Sequence, residues 1–143
     1  MKLVLQRVLK AKVIIDEIIY SSIDQGILLL VGVDKNDQDF EFDYYIKKIV
    51  NLRIFNDANG KMNQSLLDIK GSILVISQFT LLADIKKGNR PSFIKAANPK
   101  SAKLIYDKLI KKLKSYEINV KQGRFGAQMF LDFINDGPVT IIM

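Results

Sequence analysis

Two residue types are missing from this chain altogether. Its 143 residues include no cysteine and no histidine. Without cysteine there is no disulfide, no thiol nucleophile and no thiolate metal site. Without histidine there is no Ser-His-Asp or Cys-His constellation and no imidazole zinc site. If the chain is a hydrolase, its proton transfers must use carboxylates, hydroxyls, lysine or a group on the substrate. Nothing in it calls for a cofactor or a metal. Long apolar runs are absent too: no segment approaches the roughly 18 uninterrupted apolar residues of a membrane span. Met1-Lys2-Leu3-Val4-Leu5-Gln6-Arg7 carries charge early and reads as a strand rather than a signal peptide, so a cytoplasmic location is expected.

What is present describes an ordinary globular chain. Apolar residues make up 48% and charged residues 26%, and the length suits one domain with a single core. The net charge of +7 is unevenly spread: Lys86 to Lys114 holds ten Lys/Arg and one acid, the remainder twelve Lys/Arg and fourteen acids. A basic stretch on a near-neutral body suits a polyanionic partner, because neutralised phosphates release counterions. The plainer reading is a solvated lysine-rich helix.

Hydrophobic patterning predicts an α+β domain, largely antiparallel and barrel-like, with two main helices packed on the sheets. Leu3–Val8 and Val13–Ile19 read as two strands joined near Lys10 to Lys12, with a turn near Asp16-Glu17. The apolar run Gly26–Val33 is short enough to be a central strand covered on both faces. Asn36 or Asp37 is expected to cap a helix reaching about Asn51, with Phe42, Tyr45, Ile46 and Ile49 on one face. Arg53-Ile54-Phe55 reads as a short strand and Asn56–Gly60 as a turn. Ser72–Ser77 is a β-branched strand, and Lys86–Ser92 a basic loop. Asn98-Pro99 should start a second helix whose core stripe is Ala102, Ile105, Tyr106, Leu109 and Leu113. Strands are expected at Ile118–Gln122, Met129–Asn135 and Val139–Met143, the last two separated by a turn at Asp136-Gly137-Pro138.

Two segments carry candidate chemistry. In Ser77-Gln78-Phe79-Thr80-Leu81-Leu82-Ala83-Asp84, polar groups interrupt an apolar run. Burying them unpaired would cost about 1–3 kcal/mol each, so they are either paired internally or face a site. The plainer reading is a strand end whose hydroxyls cap nearby backbone. Asn135-Asp136-Gly137-Pro138-Val139-Thr140 is by pattern a turn, although Gly-Pro can also form a rigid, sometimes cis, bend that presents backbone groups to a ligand.

Together these segments resemble the two signature motifs of the D-aminoacyl-tRNA deacylase family: Ser-Gln-Phe-Thr-Leu, and Asn-x-Gly-Pro-Val-Thr. Leu5-Gln6-Arg7-Val8, Gly60-Lys61-Met62-Asn63 before Ser65-Leu66, Lys87-Gly88-Asn89-Arg90-Pro91-Ser92-Phe93, and Gly123-Arg124-Phe125-Gly126-Ala127-x-Met129 are similar to further family segments, in the family's order. The resemblance spans residues 1–143 and departs at Leu82, where many members carry Tyr.

The resemblance implies a homodimeric hydrolase that cleaves the ester of D-aminoacyl-tRNA, with glycyl-tRNA as a further substrate. Ser77, Gln78, Phe79 and Thr80 would surround the ester, and the N–H groups of Phe79 and Thr80 would be oxyanion donors. A cis Gly137-Pro138 would enter the partner subunit's site and hold the amino group through its carbonyls. Arg7 would brace that loop and Met129 would line the adenosine end. Ala83 and Asp84 complete the substrate-binding candidates, and Lys86, Lys87 and Arg90 are candidates for tRNA contact. The resemblance also implies that the ribose 2′-hydroxyl assists hydrolysis, which suits a chain without histidine; a Thr80 nucleophile is the older alternative. Two rivals keep the fold but not this chemistry: a non-catalytic RNA-binding module, and a Thr-dependent esterase of small molecules.

Overall fold

Alternation along two central strands organises the molecule. In the computed structural model, which describes residues 1–37 and 41–143, β3 (Gly26–Gly32) lies between β1 (Lys2–Ile15) and β6 (Ser72–Ser77). Ile27 and Leu29 of β3, with Ile73 and Val75 of β6, face one apolar cluster; Leu28, Leu74 and Ile76 face another. A strand with both faces covered reads as an unbroken apolar run, as Gly26–Val33 does. Helices α1 (Phe42–Asn51) and α2 (Pro99–Leu113) cover the first face. The curled sheet covers the second itself, through Val8, Ala11, Val13, Ile15 and Ile23 of β1 and β2 (Ile18–Ile23).

The six-stranded sheet is mixed and mostly antiparallel. β1 pairs antiparallel with β2, β3 and β8 (Phe130–Ile142), whereas β3–β6 and β6–β7 (Asn119–Gln122) are parallel. A separate ribbon joins β4 (Phe55–Asn56) to β5 (Met62–Gln64). The fold is thus the expected barrel-like α+β domain with two helices.

Several boundaries differ from the sequence reading. β1 is one strand of 14 residues, not two joined near Lys10 to Lys12. Its first half pairs with β3 and its second with β2, so the partner changes while the strand continues. The turn at Asp16-Glu17 is present, with both residues at positive φ. Helix α1 starts at Phe42 behind Glu41, so neither Asn36 nor Asp37 caps it. Asp37 instead accepts the Asp34 N–H at 2.6 Å and pairs with the terminal amine of Met1 at 2.5 Å. The short strand expected at Arg53-Ile54-Phe55 lies at Phe55–Asn56. Helix α2 starts as expected: Pro99 is its first residue and the Asn98 side chain accepts the Ser101 N–H at 3.0 Å.

The largest correction concerns the C-terminus. The two strands expected there are one, β8, and Asp136-Gly137-Pro138 is not a turn between them. Both halves of β8 pair with β1: Thr140 lies opposite Gln6 and Asn135 opposite Val8. Between those pairs Asp136, Gly137, Pro138 and Val139 stand against Arg7 alone, so this part of the strand bulges out of the ladder.

Candidate active site

Where β6 ends, its neighbours fix the direction of the chain. The Gln78 N–H donates to the Val31 carbonyl at 2.7 Å, and a 3-10 turn, Phe79–Leu82, follows. Gly32 permits this close approach, because a Cβ there would lie 3.0 Å from the Leu81 Cβ and 3.1 Å from the Gln78 carbonyl oxygen. Leu82 anchors the turn in the interior, leaving the Phe79 and Thr80 side chains exposed. The first N–H groups of a helical turn have no partner within it, and here they belong to Phe79 and Thr80. The Thr80 hydroxyl receives a short hydrogen bond from the Gln78 side-chain amide. A carboxamide takes no proton at neutral pH, so this partner is no general base for Thr80.

A cavity of about 610 Å³ lies beside this turn. Ser77, Gln78 and Phe79 form one wall, and Phe93, Phe125 and Met129 stand among the others. Phe79 and Phe93 meet edge to face, with ring centroids 5.0 Å apart. Met129 packs so closely on Gly123 that a Cβ there would lie 2.7 Å from its sulfur. Flat apolar walls with a polar strand end suit a small, mostly apolar ligand that carries a polar group at one edge.

Of the sequence candidates, Ser77, Gln78, Phe79 and Met129 therefore share this cavity. Thr80, Ala83 and Asp84 are not among its walls. Asp84 pairs with Ser92 through mutual backbone hydrogen bonds of 2.8 and 2.9 Å and faces a second cleft. Its carboxyl is held below the usual range, first by the Lys86 N–H and further by the positive charge of Lys95 and Lys86. Lys86 and Lys87 line the same cleft; Arg90 is exposed and is not in its wall. Phe93 and Phe125, from the family-like segments 87–93 and 123–129, line the cavity without being sequence candidates for it. Their signal was an aromatic in an otherwise polar, Gly-containing loop.

Gly137 and Pro138 are not brought to this cavity within the chain. They are exposed on the β8 bulge, joined by a cis peptide bond. Gly137 has φ 121° and a Cβ there would lie 3.0 Å from Arg7 Nη2, so both conformation and space require glycine. Arg7, only 5% exposed, holds the bulge from beneath. Its Nε contacts the Asp136 carbonyl at 3.1 Å and the Asp136 carboxylate at 3.0 Å. Its Nη1 donates to the Ile54 carbonyl at 2.6 Å and to Asn56 Oδ1 at 3.3 Å. Asn135 brackets the bulge, accepting the Val139 N–H and donating to the Thr140 hydroxyl, both at 3.1 Å. Among the described residues no cluster of acidic side chains could hold a metal, and no helix is long and apolar enough to cross a membrane.

This fold is that of a solved structure described as a probable eukaryotic D-amino acid tRNA deacylase. The match has a TM-score of 0.86 at 15% identity and covers 99% of this chain and 97% of that one. The chain belongs to the D-Tyr-tRNA(Tyr) deacylase family, whose model matches residues 4–143. It is also similar to a solved structure of c-Myc DNA Unwinding Element Binding Protein: 40% identity, TM-score 0.93, with 100% of this chain and 97% of that one covered.

Proposed function

We propose that the protein hydrolyses the ester of D-aminoacyl-tRNA, releasing the free D-amino acid and tRNA. The observation that carries this reading is the division of the two motifs. The cavity beside Ser77-Gln78-Phe79 is walled mostly by apolar and aromatic side chains, while Gly137-Pro138 is presented outward on a braced bulge. A homodimer in which each bulge enters the other subunit's cavity joins the halves, and residues 1–143 then act as one deacylase domain. The exposed edge of β8 is the surface available for that pairing.

In the assembled site the terminal adenosine lies against Phe79, Phe93 and Met129. Gly137-Pro138 carbonyls hold the amino group, and the side-chain position of an L-residue meets the bulge. Glycine has no side chain to exclude, so glycyl-tRNA is also cleaved. Water attacks the ester carbon, and the N–H groups of Phe79 and Thr80 hold the developing oxyanion. The bond to the ribose oxygen then breaks and that oxygen takes up a proton, assisted by the neighbouring 2′-hydroxyl. Positioning of this kind contributes up to about 7–11 kcal/mol without any side-chain base. The hydrogen bond from Gln78 to Thr80 favours a positioning role for that hydroxyl over nucleophilic attack.

A second reading has one observation in its favour. The relative at 40% identity is named for binding DNA, and this chain carries a lysine-lined cleft. A nucleic-acid-binding module would need the cleft but not the ester cavity.

Incubation with D-Tyr-tRNA, L-Tyr-tRNA and D-Tyr-tRNA ending in 2′-deoxyadenosine separates these readings. Rapid release from the D-substrate alone is expected, with near-total loss for the deoxy form. Failure to discriminate D from L refutes the deacylase reading, and undiminished cleavage of the deoxy substrate restores Thr80 as nucleophile. Thr80→Ala should keep substantial activity, whereas Pro138→Ala should erode chiral selection.

A further inference from the structure

A second cleft, of about 440 Å³, opens beside the ester cavity and is walled by Lys35, Lys86, Lys87 and Lys95 with Asp84, Ser92 and Ile94. Three backbone segments bring these lysines together. Lys35 N–H donates to the Lys95 carbonyl at 3.0 Å, and Ala97 N–H donates to the Val33 carbonyl at 2.9 Å. The mutual bonds between Asp84 and Ser92 fasten the third segment alongside. Four cations and one carboxylate leave a local charge of three positive, and all four lysines are exposed.

Three lysines of the basic stretch are engaged elsewhere. On α2, Lys103 pairs with Asp107 at 2.5 Å, Lys112 pairs with Asp43, and Lys108 lies 4.8 Å over the Phe42 ring. Among the described residues the cleft offers its lysines one carboxylate, Asp84, which lies 3.7 Å from Lys95 and also feels the charge of Lys86. Part of the helix's charge thus belongs to cations with partners of their own, whereas in the cleft four lysines share one carboxylate.

The cleft and the cavity share a wall. Ser92, Ile94 and Lys95 line the cleft, whereas Phe93, Ala96 and Ala97 line the cavity. A strand that ends in the cavity and leaves across Phe93 and Ile94 lays its phosphates over the lysines. Ile94, 80% exposed, offers an apolar surface to a ribose or base on the way.

We propose that Lys35, Lys86, Lys87 and Lys95 form the track for the phosphodiester backbone of the RNA strand whose 3′ end occupies the cavity. This rests on the deacylase reading for the choice of RNA and adds Lys35 and Lys95 to the contact surface. Each phosphate neutralised on a single strand contributes about 0.7 to the slope of log K against log salt, and about 0.9 on a duplex.

The test is fluorescence anisotropy of uncharged tRNA over a salt series. The probe is titrated with the wild-type protein, with the quadruple variant K35Q/K86Q/K87Q/K95Q, with its quadruple Lys→Arg counterpart, and with the helix variant K108Q/K112Q. The quadruple Gln variant should lose about 3 from the slope and more than tenfold in affinity. The Arg variant should keep both, and the helix variant should match wild type. If the quadruple variant misfolds, K35Q/K95Q serves instead, with an expected slope loss of about 1.5. An unchanged slope in the Gln variants, or the loss appearing in the helix variant, overturns the proposal. A DNA duplex that binds as tightly as tRNA through the same lysines overturns the assignment to RNA. Wild-type protein that binds tRNA through the four lysines yet releases no D-tyrosine sinks the deacylase reading and leaves the track. Release of D-tyrosine together with an unchanged slope sinks the track alone.

Discussion

Arg7 carries a permanent charge in an interior position, and every contact it makes has a geometric purpose. Its four contacts tie the bulge to the backbone at Ile54 and to Asn56. Arg7→Gln removes the cation from a buried site and leaves the Asp136 carboxylate without its partner. A loss of about 2–3 kcal/mol is expected in urea denaturation, together with weaker discrimination of D from L. An unchanged midpoint would show that the bulge holds itself. Asp84 is tuned by a different means. Its folded value lies below the ordinary 3.8, chiefly because it accepts the Lys86 N–H. Its contribution to stability is therefore complete above pH 3.8 and drains away as pH falls through the lower folded value. An NMR titration should place the midpoint of the Asp84 carboxyl below 3.8, and a midpoint at or above it contradicts the hydrogen-bond geometry.

Strands and helices set how well these residues tolerate change. A Cβ on Gly26 would lie 1.8 Å from the Ser72 carbonyl oxygen, on backbone that cannot move without parting β3 from β6. Gly26→Ala should leave little folded protein, as judged by circular dichroism and soluble yield. Tyr106, by contrast, donates its hydroxyl to the Val75 carbonyl at 2.8 Å, and that oxygen also accepts the Gly123 N–H at 3.0 Å. Tyr106→Phe leaves the acceptor satisfied, so thermal unfolding should show a loss of only about 1 kcal/mol. Much at this scale was legible in the sequence. β3, β6 and α2 announce themselves through an apolar run, a β-branched run and an Asn-Pro cap, all local signals. β1 and β8 were each divided because their irregularity depends on partners: β1 changes neighbour along its length, and β8 bulges where Arg7 sits across from it. Neither event is written in the strand's own residues. The same limit applies at the site. Ser77, Gln78, Phe79 and Met129 were readable as motif members, whereas the place of Asp84 in the second cleft depends on its pairing with Ser92, which its own segment does not announce.

At the scale of the molecule, the dominant fact is an unfinished edge. Among the described residues β8 pairs with β1 along one side only, and Phe130, Ile134 and Ile142 are 65%, 45% and 75% exposed. A long apolar edge is a hazard for a protein that remains alone. Sedimentation velocity is expected to report a dimer at micromolar concentration, and Ile134→Lys should shift it toward monomer with loss of deacylation. A monomeric wild type with full activity would contradict the shared-site arrangement. Charge acts on the same scale, because a net +7 favours encounter with polyanions and makes such encounters weaken as salt rises.

The bulge on β8 has one further consequence. Its two feet are pinned by ladder pairs on either side, so the sheet closes whatever lies between them. Gly137 and Pro138 stand at its tip outside the ladder, and the positive φ of Gly137 reserves that one position for glycine. On the proposed reading, substrate preference is carried by a segment the ladder does not need, and Pro138 is then the position at which to vary that preference on an unaltered frame.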